Sequence, residues 1–534
     1  MRATAHRRGD PCTGLSYARA MLPGLPTAAL FAASSLALPA TDNVTGEVEE
    51  AGGDYELVEI EVPEGTVELE IVHETLSGDS ILDWGVWDGS GFRGWSGGLV
   101  DPIVIGEESA SRGYLPGPIE PGTWTIVIGK ARLEDPPVGY EIEVEYRDEA
   151  TLEPREREPF EAVVLDDDAR WYRGDFHVHS LESGDATAEL EEIVELARER
   201  GLDFVVVTDH NTVSQVERLA AVQRDVDDVL LMRGIEVTTY AGHGNALGVG
   251  EYVDHRVGLD GRTIGDVIGD VRDQGGLFSI SHPSLTLGDL CIGCAWEYED
   301  TPWELVDAIE IHTGPYDIAP IFVRTTMELW EDLADSGHAL AAIGGSDDHR
   351  AGVELTETQA PIGEPTTLVW AEELSEAAIL EGVNAGRTIV NLSGPSDPEL
   401  GFEVESDAAR AEIGETIAAG TVEVRARARG ADGLRLALHR NGRVEETVAI
   451  EGDDHEEVWS FETSPEGERY RVELRDGSLP RVASSHIFVD AAPGGCGGCG
   501  AAGLAGGAPA LVLVLGALVR VGRGGRARAQ RSPN

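Results

Sequence analysis

Nine of the fourteen histidines in this 534-residue chain fall between residues 177 and 349, most of them at the ends of short apolar runs. In "FHVHS", His177 and His179 stand two residues apart, so strand alternation places both on one face, as strand-borne metal ligands require. Asp347 and His349 repeat that spacing in "GGSDDH". Asp185 follows the first of these runs, and His210 ("TDHN"), Glu236 ("GIEVTT"), His282 ("SHP") and His312 ("IEIH") close later ones. Mixed imidazole and carboxylate ligation suits Zn, Mn or Fe, and nine ligands exceed the needs of one ion. Two or three divalent ions are therefore expected. A single histidine at a strand end is as readily a satisfied core residue; recurrence at strand after strand points to a metal centre.

The elements that must carry these side chains run from Trp171 to about Pro395. Apolar strands such as "DFVVVTDH", "LFSISHPS" and "ALAAIGGSDDH" alternate with helical stretches such as "TAELEEIVELARERG", "TIGDVIGDVRDQGG" and "APIFVRTTMELWEDLADSG". About seven such units imply an α/β barrel with its chemistry at the C-terminal ends of the strands.

The order H-x-H, Asp, "TDH", Glu, "SHP", His, "GSDxH" resembles the PHP (polymerase and histidinol phosphatase) superfamily of metallohydrolases over about residues 171–395. The details "RGDFHVHS", "GHGNALG" and "GRTIVN" look closest to its CehA/McbA-type branch. The resemblance implies a distorted seven-stranded β/α (PHP) barrel holding up to three metals. The implied ligands are His177, His179, Asp185, His210, Glu236, His282, His312, Asp347 and His349. It also implies a metal-bridged hydroxide attacking phosphoester bonds of small substrates, in the manner of a phosphatase or phosphodiesterase. A carbamate or carboxylic ester hydrolase is the alternative. A surface-binding or adhesin protein with a merely structural barrel is a third reading, against which stands a ligand set with no member missing. Asp209 and His243 are the expected further catalytic groups. Asp209, turned away beside His210, supports that ligand; His243 contacts substrate or protonates the leaving group. Arg387 in "GRT" is the expected anchor for an anionic group.

On either side the pattern returns to period two. Residues 43–150 contain "YELVEIEV", "VELEIVHE" and "YEIEVEY", and 401–490 contain "TVEVRARARG" and "RYRVELRD"; each stretch predicts a β-sandwich flanking the 171–400 barrel. The charged, Pro-containing stretch 151–170 reads as a linker.

Charge and termini bound the partners. The chain carries a formal charge of -58, with Lys130 its sole lysine; setting aside the basic ends (+3 over 1–40, +5 over 501–534) leaves about -66 on the body. Such a body repels extended nucleic acid, so a small, anionic substrate neutralised locally by metals is expected. Residues 1–40 (four Arg, then an Ala/Leu-rich run) read as a secretory signal, with translation from Met21 as an alternative start. Residues 493–534 combine Cys496 and Cys499, an apolar span and five Arg, resembling a bacterial C-terminal sorting tail of the myxobacterial kind; a plain membrane anchor is the alternative. Both readings export the body to the cell surface or outer envelope. There, Cys291 and Cys294 are expected to form a local disulfide, because a lone C-x-x-C is weak evidence for zinc.

Overall fold

Alternation shapes the first layer. In Tyr55–Val62, Tyr55, Val58, Ile60 and Val62 are buried while Glu59 and Glu61 face solvent. The computed structural model describes residues 40–288, 291–316 and 320–491, so the expected leader and the tail with Cys496 and Cys499 lie outside the described residues. Two four-stranded antiparallel sheets form the N-terminal part. One runs β1 (Ala40–Val48), β8 (Val138–Arg147), β3 (Glu68–Thr75), β6 (Ile103–Gly106). The other runs β2 (Tyr55–Val62), β7 (Gly122–Arg132), β4 (Ile81–Asp88), β5 (Gly91–Gly97). Leu69 and Ile71 of the first sheet and Trp84, Trp124 and Ile126 of the second share one core.

The central sheet is built from β9 (Arg170–Val178), β10 (Phe204–Val207), β11 (Leu230–Thr239), β12 (Gly242–Leu247), β13 (Leu277–Ile280), β14 (Ala308–Thr313), β15 (Ala341–Gly345), β16 (Thr366–Ala371) and β17 (Thr388–Asn391). Its order is β15-β14-β13-β12-β11-β10-β9-β16-β17. The 3.6-residue patterns form α1 (Leu190–Arg200), α3 (Ile264–Asp273) and α4 (Pro320–Asp335); α2 (Val216–Gln223) and α5 (Glu376–Asn384) complete the set. Capping boxes start α1 (Glu189 with Glu192) and α3 (Thr263 with Asp266). Pairings β9–β10–β11 and β13–β14–β15 are parallel, as strand–helix units require. β12 is antiparallel to both its neighbours, because only Tyr240 and Ala241 separate it from β11 and no helix fits in that turn.

The molecule is thus a mixed α/β protein whose central sheet curls into a half barrel. Its β15 end returns to β9: Asp347 N donates to His177 O at 2.8 Å and His179 N to Asp348 O at 3.0 Å. Gly345 makes this approach feasible, since a Cβ there would lie 2.3 Å from that of His177.

The C-terminal stretch contains β18 (Glu399–Glu405), β19 (Arg410–Glu412), β20 (Thr416–Ile417), β21 (Thr421–Arg429), β22 (Arg435–Arg440), β23 (Arg443–Ala449), β24 (Asp454–Glu462), β25 (Glu468–Asp476), β26 (Leu479–Ser484) and β27 (Ile487–Val489). One sheet is β19-β18-β21-β24. The other, β26-β25-β22-β23, is not separate: β26 pairs antiparallel with β17 and continues the central sheet. Residues 151–169 form no helix or strand, yet they strap the central sheet through Glu158 N to Glu217 O (2.9 Å) and Leu165 N to Leu374 O (3.0 Å). Among the described residues, no helix is long and apolar enough to cross a membrane.

Candidate metal centre

Glu236, on β11 and almost fully buried, is where the expected ligands meet. Its Oε1 lies 3.4 Å from His177 Nε2, 3.2 Å from His243 Nδ1 and 3.1 Å from His282 Nε2; its Oε2 lies 2.8 Å from His210 Nδ1. Three groups of donors surround it. His177 and His179 come from β9 with Asp347 from the end of β15: Asp347 Oδ1 is 3.3 Å from His177 Nε2 and 3.0 Å from His179 Nε2. Asp185, His210 and His349 form the second, with Asp185 Oδ2 3.5 Å from His210 Nε2 and 3.4 Å from His349 Nε2. His243 and His282 form the third with Glu236 itself.

This donor set fits divalent cations. His177 Nε2 and His179 Nε2 stand 3.1 Å apart, both turned to the carboxylates, and Glu236 Oε2 accepts no well-directed hydrogen bond although buried. Burial, then the neighbouring imidazoles of His349 and His210, hold His179 down at about 3, whereas nearby carboxylates outweigh burial to raise His177, His210 and His282 and bring His349 up to about 9. Burial pushes the Glu236 carboxyl up, but the imidazoles of His177, His210 and His243 outweigh it and hold the group well below its ordinary range. The outer ring nitrogens are held in turn. His177 Nδ1 meets Glu310 Oε1 at 2.9 Å, His179 Nδ1 meets Ser183 Oγ at 3.0 Å, and His349 Nδ1 donates to Asp347 O at 2.9 Å. Each contact holds its imidazole in place, and the carbonyl of Asp347 requires His349 Nδ1 to carry its proton. His282 and Asp347 also carry positive φ (30° and 58°), strain that a packed site sustains.

The structure places four residues otherwise than expected. His312 stands apart from the cluster: its Nε2 is buried without a partner, and burial lowers it to about 4. The cause is a register shift in β14 between Glu310 and His312, which breaks the alternation that would have put both on the inner face. Glu310, which sequence reasoning missed, keeps that face; its Oε2 also accepts from His282 N at 3.0 Å. Its signal was present as a lone acid between Ile309 and Ile311.

Arg387 lies away from the site. It precedes β17 and faces Glu415 at 3.7 Å, and its carbonyl accepts from Trp370, whose partner Trp171 begins β9 at the end opposite His177. Arg350, beside the ligand His349, is the arginine that lines the cavity. Asp209 touches no ligand side chain; it accepts from Ser180 N and Oγ, both at 2.7 Å, and so anchors the loop that carries Ser183. Burial pushes its carboxyl up to about 7. His243 belongs with the donors: its Nδ1 faces Glu236 while Nε2 donates to Ile292 O at 3.1 Å.

Cys291 and Cys294 are joined in a disulfide, as expected. Their loop supplies both Ile292 O and Cys294 O, the latter accepting from His282 Nδ1 at 3.2 Å. Gly293 allows the loop to sit there: it has φ 74°, and a Cβ would lie 2.3 Å from Thr239 O.

The centre lies in the wall of a cavity of about 710 Å³. One side belongs to the central sheet and its loops; the other is formed by Ile81, Asp83, Trp95 and Leu99 of the N-terminal part.

With this ligand order and geometry the decisive comparison is with known families. Residues 175–263 match the family model described as the PHP domain. That match takes in His177, His179, Asp185, His210, Glu236 and His243. The chain is also similar to a two-domain protein of Bacteroides vulgatus described as containing a predicted PHP-like metal-dependent phosphoesterase: 17% identity, TM-score 0.35, covering 64% of this chain and 99% of that one. A second similar structure, from Bifidobacterium adolescentis and provisionally named a metal-dependent phosphoesterase, shows 17% identity and TM-score 0.26 over 35% of this chain and 92% of that one. No curated protein matches the chain.

Proposed function

We propose that the protein is an exported, metal-dependent hydrolase of phosphoester bonds in small substrates, closest in kind to the CehA/McbA-type branch. The gathering of His177, His179, Asp347, Asp185, His210, His349, His243 and His282 around Glu236, in one wall of a cavity, carries this reading. Bound divalent ions would supply an activated water and hold the oxygens of the ester. The chain's own residues do the rest. Glu310, Ser183 and the carbonyls of Asp347, Ile292 and Cys294 hold the imidazoles in place. Arg350 stands at the cavity wall to meet the anionic group, and Ile81, Trp95 and Leu99 of the N-terminal part line the facing wall. Carbamate or carboxylic ester hydrolysis is the second reading, favoured by the apolar lining of Ile81, Leu99, Leu285, Leu287 and Phe322.

Metal analysis of the purified protein, with assays on 4-nitrophenyl phosphate, bis(4-nitrophenyl) phosphate and an aryl N-methylcarbamate, tests both. The expected result is two or three ions per chain and turnover of a phosphoester. Glu236→Gln should lose most of the metal and at least about 100-fold in rate, since one carboxylate joins two of the donor groups and orients His210 of the third. Turnover of the carbamate alone selects the second reading, and full activity in Glu236→Gln rejects the site. Export is tested by fractionating cells: the protein should appear in the envelope or medium.

A further inference from the structure

Most buried carboxylates in this molecule have an evident partner. Glu68 faces Arg147, Asp88 faces Arg93, Glu182 faces Arg155 and Asp397 faces Arg481. Where no cation is near, backbone N–H groups serve instead. Asp175 accepts from His177, Ser346 and Gly363, and Asp348 from Arg350, Gly352 and Ile362.

Asp83 on β4 follows neither rule. The hydrogen bond it accepts comes from Tyr240 Oη to Oδ2, at 2.7 Å, and the residue lines the cavity. Desolvation pushes its carboxyl up to about 6, with Tyr240 and His210 pulling the other way. Half-buried among Ile81, Trp95 and Leu99 with one neutral hydrogen-bond donor, the carboxylate is open to a cation that enters the cavity. The contact with Tyr240 is built in. Gly129 of β7 leaves room for the tyrosine tip, since a Cβ there would lie 2.1 Å from Oη. Tyr240 stacks on Tyr55 with ring centroids 5.8 Å apart. Asp83 also shares the cavity wall with the metal centre, whose ligands His210 and Glu236 line the same space.

We propose that Asp83, with Tyr240, recognises a cationic group (a protonated amine or quaternary ammonium) on the alcohol portion of the substrate while the metal centre holds the ester. The substrate class is then a small zwitterionic ester whose anionic and cationic ends span one cavity. An aromatic hydroxyl beside the carboxylate suits such a cation, which gains from π faces as well as from the charge. This rests on the phosphoester reading for its anionic end only.

Two measurements on the whole protein separate the claims. The first compares 4-nitrophenyl phosphorylcholine with its neutral isostere, 4-nitrophenyl 3,3-dimethylbutyl phosphate. The choline ester should show a KM lower by about tenfold, and Asp83→Asn should bring the KM ratio close to one. The second is calorimetric titration with benzyltrimethylammonium, which carries no ester and requires no turnover. The wild type should bind it, and Asp83→Asn should bind at least about tenfold more weakly. Equal KM values in the wild type, an unchanged ratio in the variant, or equal cation binding by both would overturn the proposal. So would an equal fall in kcat on both esters, which would make Asp83 a proton donor instead. If neither ester is hydrolysed, the phosphoester reading fails and the titration alone decides on Asp83.

Discussion

Single side chains in this site do different kinds of work. Glu236 joins the His177–His179 and His243–His282 donors and touches His210 at its outer nitrogen, Glu310 orients His177 and the backbone of His282, and Asp209 acts only through the loop it anchors. Asp83 is held against its own stability, and that is measurable. Its pKa rises from 3.8 to about 6 on folding, so below about pH 4 the group is protonated in both states and costs nothing. As pH rises towards 6 the unfolded chain ionises first, and stability falls; above 6 the loss is constant. Asp83→Asn removes that slope while its amide oxygen still accepts from Tyr240. The variant should therefore be more stable than the wild type at pH 7.5 by on the order of 1–3 kcal/mol, with the difference vanishing near pH 4. Denaturant titrations of metal-free protein at the two pH values check this, and a pH-independent difference would refute it.

At the scale of elements, the register shift in β14 and the loop closed by Cys291–Cys294 decide which imidazoles enter the site. The loop's carbonyls orient His243 and His282, so loosening it should affect their ion before the others. Reduction, or Cys291→Ser with Cys294→Ser, is expected to lower affinity for one metal equivalent by about 10–100-fold. Metal-binding titrations of oxidised and reduced protein read this directly; an identical isotherm would mean that the loop holds its shape without the disulfide. The same scale shows how far element prediction from sequence reaches. Tyr55–Val62 appears where its alternation predicts, and α1, α3 and α4 lie within their predicted stretches, because burial of one face imposes the period. Helices α2 and α5, of eight and nine residues, are too short for a clear period, and the two-residue turn before β12 is not visible as a departure from strand–helix alternation.

At the scale of the molecule, the stretch after residue 400 is bound to the central sheet rather than appended to it. β26 extends β17, and a buried ion network crosses to α4, where Glu331 meets Arg469 at 2.8 Å and also pairs with Arg471, which in turn pairs with Glu473. Removing Glu331 leaves two buried guanidinium groups short of a partner. Glu331→Ala should destabilise the protein by about 3–5 kcal/mol while leaving metal stoichiometry at low temperature unchanged. Thermal and denaturant unfolding with metal analysis test both parts; a loss under about 1 kcal/mol would show the network to be solvated. The N-terminal sheets are equally committed, since Ile81, Asp83, Trp95 and Leu99 form a wall of the cavity. The acidic surface, about -66 over the body, leaves the metal centre as the local exception that can hold an anion.

The sequence by itself determined the donor types: His177, His179, Asp185, His210, Glu236, His282, Asp347 and His349, which the structure brings together, were legible because donor type and strand spacing are local properties of the chain. It also determined the alternating strands and the longer helices, which need only a one-sided core. Tertiary structure decided the rest. It chose Glu310 over His312 at β14, set Arg387 at the far end of the sheet, made His243 a donor and brought Asp83 across from another sheet. Each of these depends on a bulge, on strand direction or on packing between segments more than a hundred residues apart, and no local period records such contacts.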